Sequence, residues 1–248
     1  MGPGDLLTMG DDALTFILAL WHRIGFRVPH NDPLLSNLAD ADVASPADKA
    51  MSSKKVAKQT QLRHNDTVEG VRLVAKFASC DSAMEPEFQK VAGGSAVVEN
   101  KRRGDVVVCM PLLRKAVVDV VVTHAPNASY ASRSCKNTGC IATEMEGTKL
   151  RKFKSDVPDH VQFDFVPFAV ESCGYMGKAA LQFVDRLAGI AAESGRISKA
   201  AFTRWALQVL SVTLQKGNAE MYRRFGVVIA REEGVRFDTG YDVPVLQS

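Results

Sequence analysis

The feature that most constrains this chain is a pair of β-branched runs, DVVVCM at 105–110 and AVVDVVVTH at 116–124, joined by Pro111-Leu112-Leu113-Arg114-Lys115. Valine-rich segments of this length belong in strands, and the link between them is short enough for a hairpin. Each run also carries an aspartate, Asp105 at the start of the first and Asp119 at the centre of the second. A carboxylate among valines is unfavourable unless it is paired or faces a cation. Hard oxygen donors of this kind suit Mg²⁺ or Mn²⁺, a cation that lowers the pKa of bound water and neutralises charge building on a phosphoryl group. In such a hairpin, strand twist or a bulge is needed to bring the two carboxylates together. The plainer role for Asp105 is to cap a strand end.

The segments around the hairpin have readable periods. Val68, Val71, Leu73, Val74 and Phe77 line one side of a helix predicted over 67–79, with Asp66 as its cap, and a weaker strand is predicted over 85–91. Residues 142–154 suit a charged helix, 161–171 a strand stopped by Ser172-Cys173-Gly174, and 177–193 and 198–216 two long helices. Nearer the start, Asp11 and Asp12 cap a helix bearing Leu14, Ile17, Leu18, Trp21 and Ile24, and residues 27–62, with three prolines and an SSKK stretch, read as a linker. The order predicts an α/β fold, a mixed sheet flanked by helices. Its expected divisions are an N-terminal helix and linker (1–62), a core (63–193) and a C-terminal helical extension (194–248).

Charge is unevenly placed. The whole chain carries +3, yet residues 1–50 hold three Lys/Arg against seven Asp/Glu, so the remainder is cationic and favours a polyanion. Clusters at Lys54/Lys55/Lys58, Lys101/Arg102/Arg103 and Lys149/Arg151/Lys152/Lys154 are available for phosphate contacts, and the last two flank the aspartates in sequence. Solvated charge is the default for any one of them. No apolar run approaches the roughly 18 residues of a membrane span. Five cysteines without a CxxC pair argue against a disulfide framework and a zinc ribbon and for a reducing compartment. The acidic start argues against a secretory signal, so the chain is not expected to be secreted.

Among the other chemistry-bearing residues, Lys149 on the charged helix offers a positive charge that orients an attacking water, and Glu85 on the preceding segment offers a further carboxylate; otherwise Lys149 belongs to a solvated helix face. His124 reads as a surface or hydrogen-bonded residue at a strand end, and His64 as part of a cap with Asp66. Cys135 and Cys140 lack visible partner ligands, and Gly174-x-x-Gly177 reads as a turn rather than a phosphate-binding helix start. Trp21, Trp205 and the Phe163/Phe165/Phe168 series read as core anchors rather than base-stacking platforms.

Taken in order, RHND, EPE, RGDVVV, VVDVVVTH, ExxKxxKF (Glu146, Lys149, Lys152, Phe153) and FVPFAVES-G-x-x-G resemble the restriction-like endonuclease domain of early-branching, site-specific non-LTR retrotransposons, a relative of the PD-(D/E)-x-K nucleases. The resemblance covers roughly residues 63–190, and its specificity lies in the ordered set. It implies a restriction-endonuclease-like sheet, with Asp105 and Asp119 as metal-binding catalytic acids and Lys149 as the catalytic lysine. Glu85, or alternatively Glu87, becomes the additional acid, and Mg²⁺ or Mn²⁺ the cofactor. Arg102, Arg103 and Lys152 become contacts to a DNA backbone. That family nicks target DNA so that a free 3′ end primes reverse transcription, which makes retroelement RNA or a reverse transcriptase module a further expected partner. This chain has no polymerase motif. It departs from the family at Gly104, where proline is usual, and in having no cysteine in 26–63, where the family carries a zinc knuckle; Val121 occupies the place where ordinary nucleases of this class keep their lysine.

Two other function classes fit the sequence. One is a decayed or repurposed copy that binds nucleic acid without cutting, with salt-sensitive affinity that survives loss of the acids. The other is a structural, partner-binding α/β protein that docks through Phe202, Trp205, Val209 and Val212.

Overall fold

The computed structural model describes residues 50–87, 103–111, 115–127, 129–134, 136–157 and 163–232. The helix expected near Leu14, residues 27–49, Arg102 and Cys135 lie outside the described residues. Helix α1 (Ala57–Phe77) leads to a short strand β1 (Asp81–Met84), the hairpin β2 (Val106–Cys109) and β3 (Ala116–Thr123), and a single helical turn, α2 (Ala131–Ser134). Helix α3 (Cys140–Asp156), strand β4 (Asp164–Glu171) and helices α4 (Lys178–Glu193) and α5 (Lys199–Glu232) follow.

The four strands form one mixed sheet in the order β1-β2-β3-β4. The first three pair antiparallel, whereas β4 runs parallel to β3 after crossing back through α3. Pro167 is tolerated because β4 is an edge strand. Alternation along the strands sorts the side chains to two faces. Val106, Val108, Ala116, Val118, Val120 and Phe168 meet α1, α4 and α5, whereas Val107, Val117 and Phe163 meet the α3 layer with Phe153 and Phe165. Helices therefore cover both faces of the sheet. Among the described residues no helix is long and apolar enough to cross a membrane.

Three boundaries differ from expectation. The linker reading of 27–62 fails from residue 50 onward: Ala50, Met51 and Val56 are buried, and Ser53 of the SSKK stretch caps a 3-10 turn, Lys54–Val56, by accepting the Lys55 N–H at 3.1 Å. The polar composition marked a helix start, and α1 crosses the boundary drawn between 62 and 63. Of the weak strand expected over 85–91, residues 88–91 lie outside the described residues; the strand that is described ends earlier, at Asp81–Met84, where Glu85 has a left-handed φ of 45°. The last helix continues sixteen residues past Lys216 to Glu232 because Ala219, Met221, Tyr222 and Phe225 are buried along it.

The junction of α1 with α5 explains why Gly217 does not stop that helix. Arg63 is almost fully buried there, donating to Asn218 Oδ1 at 2.9 Å and to Met51 Sδ at 3.1 Å, with no carboxylate partner in the described residues. Burial lowers its pKa to about 10. Its stem runs so close to α5 that a Cβ at Gly217 would lie 2.6 Å from Arg63 Cγ and 3.0 Å from Arg63 Cα. Asn218 also donates to Ser172 O at 2.7 Å, tying the helix pair to the end of β4. Trp205 and Phe202 are consumed in the same layer, with Trp205 4.1 Å from the Phe77 ring.

Gly217→Ala is therefore expected to destabilise the chain by about 1–3 kcal/mol through overpacking, measured as a lower urea midpoint at unchanged slope. Native-state alkylation at pH 8 gives a second check. Burial pushes the Cys80 thiol up to about 11, so Cys80 is expected to stay unmodified until the chain unfolds, while exposed Cys109 reacts in the folded chain.

Candidate active site

The start of the hairpin ladder, where its regular pairing ends, brings the two aspartates together. Val106 pairs with Val118 and Val107 with Val117, so Asp105, one residue further back, stands across from Asp119 on the Val107/Val117 face. The long strand's centre meets the short strand's start because β3 extends beyond β2, and Asp105 and Val106 both lie against Val118, the two-against-one offset of a bulge. At this point the backbone ladder gives way to side chains: the Asp105 N–H donates to Val118 O at 3.0 Å, while its carboxylate Oδ2 accepts the Val120 N–H at 2.6 Å. Asp105 thus does cap a strand end, as its plainer role required, and its carboxylate is fixed by doing so.

Two further side chains hold the pair. Lys149 Nζ lies 2.7 Å from Asp119 Oδ1, so the helical lysine is turned to the sheet rather than to a solvated face. His64 Nε2 lies 3.3 Å from Asp105 Oδ1. His64 sits in the body of α1 and caps nothing, so the capping role expected for it is corrected: its helix brings it over the Asp105 end of the sheet. Sequence spacing gave no sign of this, because the contact joins residues 41 positions apart through the packing of α1 on β2.

The electrostatics separate the acids. Burial opposes ionisation of Asp105, but the His64 hydrogen bond and charge, the Val120 N–H and Lys149 outweigh it and hold its carboxyl below the ordinary value. Burial dominates at Asp119 and raises it; Lys149 works against that shift, and the neighbouring Asp105 adds to it. Two half-buried acids thus stand side by side with one lysine contact, on Asp119, and one histidine contact, on Asp105.

Of the other expected residues, Glu85 reaches the pair only through its backbone, its N–H donating to Asp105 O at 2.9 Å. Its carboxylate is 68% exposed and faces Arg103 at 3.2 Å; Glu87 faces the same guanidinium at 3.4 Å. Among the described residues no group of three or more His, Cys, Asp or Glu is spaced to hold a metal ion. Arg103 and Lys152 join Asp119 and Lys149 in lining one cleft of about 330 Å³, together with Val121, Met145, Thr148, Phe153 and Phe165. Phe163 and Phe168 are buried core, as expected, whereas Phe153 and Phe165 stack at 4.2 Å and line the cleft.

The helix that carries Lys149 is aimed by buried carboxylates. Glu171, at the end of β4, accepts the Ala142 N–H at 3.1 Å in the first turn of α3. Glu146, one turn before Lys149, accepts the Ala179 and Ala180 N–H groups at 3.1 Å and so caps α4 from outside. Gly177 is glycine because the Glu146 carboxylate occupies the space a Cβ would need. Gly174-x-x-Gly177 is thus a turn serving this cap, and His124 is buried with Nδ1 2.8 Å from Ser172 Oγ, a hydrogen-bonded residue as expected.

No protein-family model matches this chain, and no curated protein matches it.

The opposite shifts give a signed pH test. Asp105, held low, contributes stability that is present above its unfolded pKa and lost as pH falls through its folded value; Asp119, held high, favours the fold below its unfolded pKa and loses that contribution as pH rises through its folded value. Asp105→Asn is expected to lower the urea midpoint at pH 7, with the deficit closing as pH drops towards 3. Asp119→Asn is expected to raise the midpoint at pH 7, with the gain closing over the same range.

Proposed function

We propose that this chain is a divalent-metal-dependent endonuclease domain that hydrolyses DNA phosphodiesters. The observation that carries this reading is the meeting of Asp105 and Asp119 across the hairpin, with Lys149 on Asp119, at the head of a cleft that also contains Arg103 and Lys152. A mixed sheet with helices on both faces and the acids on adjacent strands is what the resemblance to restriction-like endonuclease domains implies. The lysine arriving from the next helix supports the same reading.

The donor set fits a hard divalent cation. Two carboxylates converge, with burial and mutual repulsion keeping Asp119 above its ordinary value, and Glu85 stands one backbone hydrogen bond away. Asp105 and Asp119 would hold Mg²⁺ or Mn²⁺, with Glu85 assisting once released from Arg103. Such an ion supplies charge neutralisation at a phosphoryl group. Lys149 orients the attacking water, and Arg103 and Lys152 hold the DNA backbone. The water oxygen bonds to phosphorus as the bond from phosphorus to the 3′ oxygen breaks. The water releases its proton to solvent, and the 3′ oxygen takes one up and departs as a hydroxyl, leaving a 5′ phosphate.

One observation favours a second reading, a domain that binds nucleic acid without cutting it. Both Asp105 oxygens are engaged within the protein and the Glu85 carboxylate is turned to Arg103. The two readings separate in a supercoiled-plasmid assay with Mg²⁺ or Mn²⁺ at fixed salt. The endonuclease is expected to nick, and Asp119→Ala and Lys149→Ala are each expected to slow nicking by about 10²–10³-fold. Salt-sensitive binding by wild type and Asp119→Ala alike, with nicking by neither, would retire the catalytic roles.

A further inference from the structure

The cleft beside the acids contains more than phosphate chemistry needs. A site that only gripped a phosphodiester would be lined by cations and acids. Here Arg103, Lys149 and Lys152 stand with Asp119 around an apolar surface made by Val121, Met145, Phe153 and Phe165. The last two rings are nearly parallel, 4° apart in plane at 4.2 Å, and Phe163 buttresses Phe153 edge-on at 5.7 Å. Met145, Thr148, Lys149, Lys152 and Phe153 share one face of α3, so cationic and apolar groups look into the same space.

We propose that this cleft takes the sugar and base of one unpaired DNA nucleotide adjoining the phosphodiester at Asp119 and Lys149, so that the domain acts on single-stranded or splayed DNA in preference to intact duplex. The proposal rests on the endonuclease reading and adds the form of its substrate. An intact duplex keeps the faces of its bases stacked inside the helix and shows its surroundings only phosphates and groove edges. It has nothing to set against Phe165 and Met145. An unpaired base has a free π face, and a cationic groove with aromatic or apolar footing is how single strands are held without regard to sequence. At about 330 Å³ the cleft lies at the lower end of ligand-pocket sizes, which suits one nucleotide rather than a run of them.

The test is fluorescence anisotropy without divalent metal, at fixed salt, on one labelled oligodeoxynucleotide presented as a single strand, as a fork with unpaired arms and as a blunt duplex. Single strand and fork are expected to bind about tenfold more tightly than duplex. Phe165→Ala is expected to weaken single-strand binding by about 5- to 100-fold, with duplex binding unchanged. Because Phe165 also supports Phe153, a second variant is needed: Thr148→Trp, at an exposed helix position on the cleft wall, narrows the cleft without disturbing the ring stack and is expected to cause the same selective loss. Equal or tighter binding of duplex, or wild-type single-strand affinity in both variants, overturns the proposal. Cleavage of the same three substrates with Mn²⁺ separates it from the reading beneath it. Asp119-dependent cutting that is as fast on duplex as on fork keeps the nuclease and removes the unpaired nucleotide. A preference for unpaired DNA without Asp119-dependent cutting keeps the nucleotide cleft and removes the nuclease.

Discussion

The Asp105 carboxylate accepts the Val120 N–H at 2.6 Å, and much of the structure is arranged around that bond. It lets an acid occupy the first position of a valine strand without leaving a backbone donor of the neighbouring strand unsatisfied. The same bond fixes one carboxylate next to Asp119 and leaves the other carboxylate oxygen for His64. If the register slipped by one residue, every valine of the hairpin would change face and the two acids would part. Hydrophobic sorting of Val106, Val108, Val118 and Val120 toward α1, α4 and α5 therefore also keeps the acids together.

Lys149 depends on a different set of constraints. Its helix is held at one end by Glu171 and in the middle by Glu146, both buried, each satisfying N–H groups in the first turn of a helix. Both carboxylates are occupied by backbone N–H groups, and the Glu146 cap explains two motif residues, Glu146 and Gly177, by packing. A charged residue in a motif can be fixed by helix ends as firmly as by a substrate.

The α1–α5 junction shows how much of the scaffold lies outside the strands that carry the two acids. Arg63 is buried against Gly217 and Asn218, and the adjacent residue, His64, points to Asp105. The end of the chain that the sequence presented as an appendage therefore packs against the helix that carries a site residue.

Much of the fold is legible in the sequence. The valine runs, their short link and the amphipathic helices define strands, hairpin and layers through local periodicity alone. Asp105 and Asp119 stood out because acids in such runs need a reason, and Lys149 entered through the ordered motif set. What local pattern could not carry was anything set by packing between distant segments. SSKK looked like loop because the burial of Ala50, Met51 and Val56 depends on the rest of the fold, and Lys216-Gly217 looked like a helix end because Arg63 is not visible from α5. The His64 contact, the turning of Glu85 toward Arg103 and the joining of Phe165 to three cations in one cleft each unite residues from separate elements. The sequence by itself determined which segments become strands and helices and which acids require a partner, because those follow from side-chain period and desolvation. Only the tertiary structure decided which side chains meet at the acids, because that depends on register and on how the helices are anchored to the sheet.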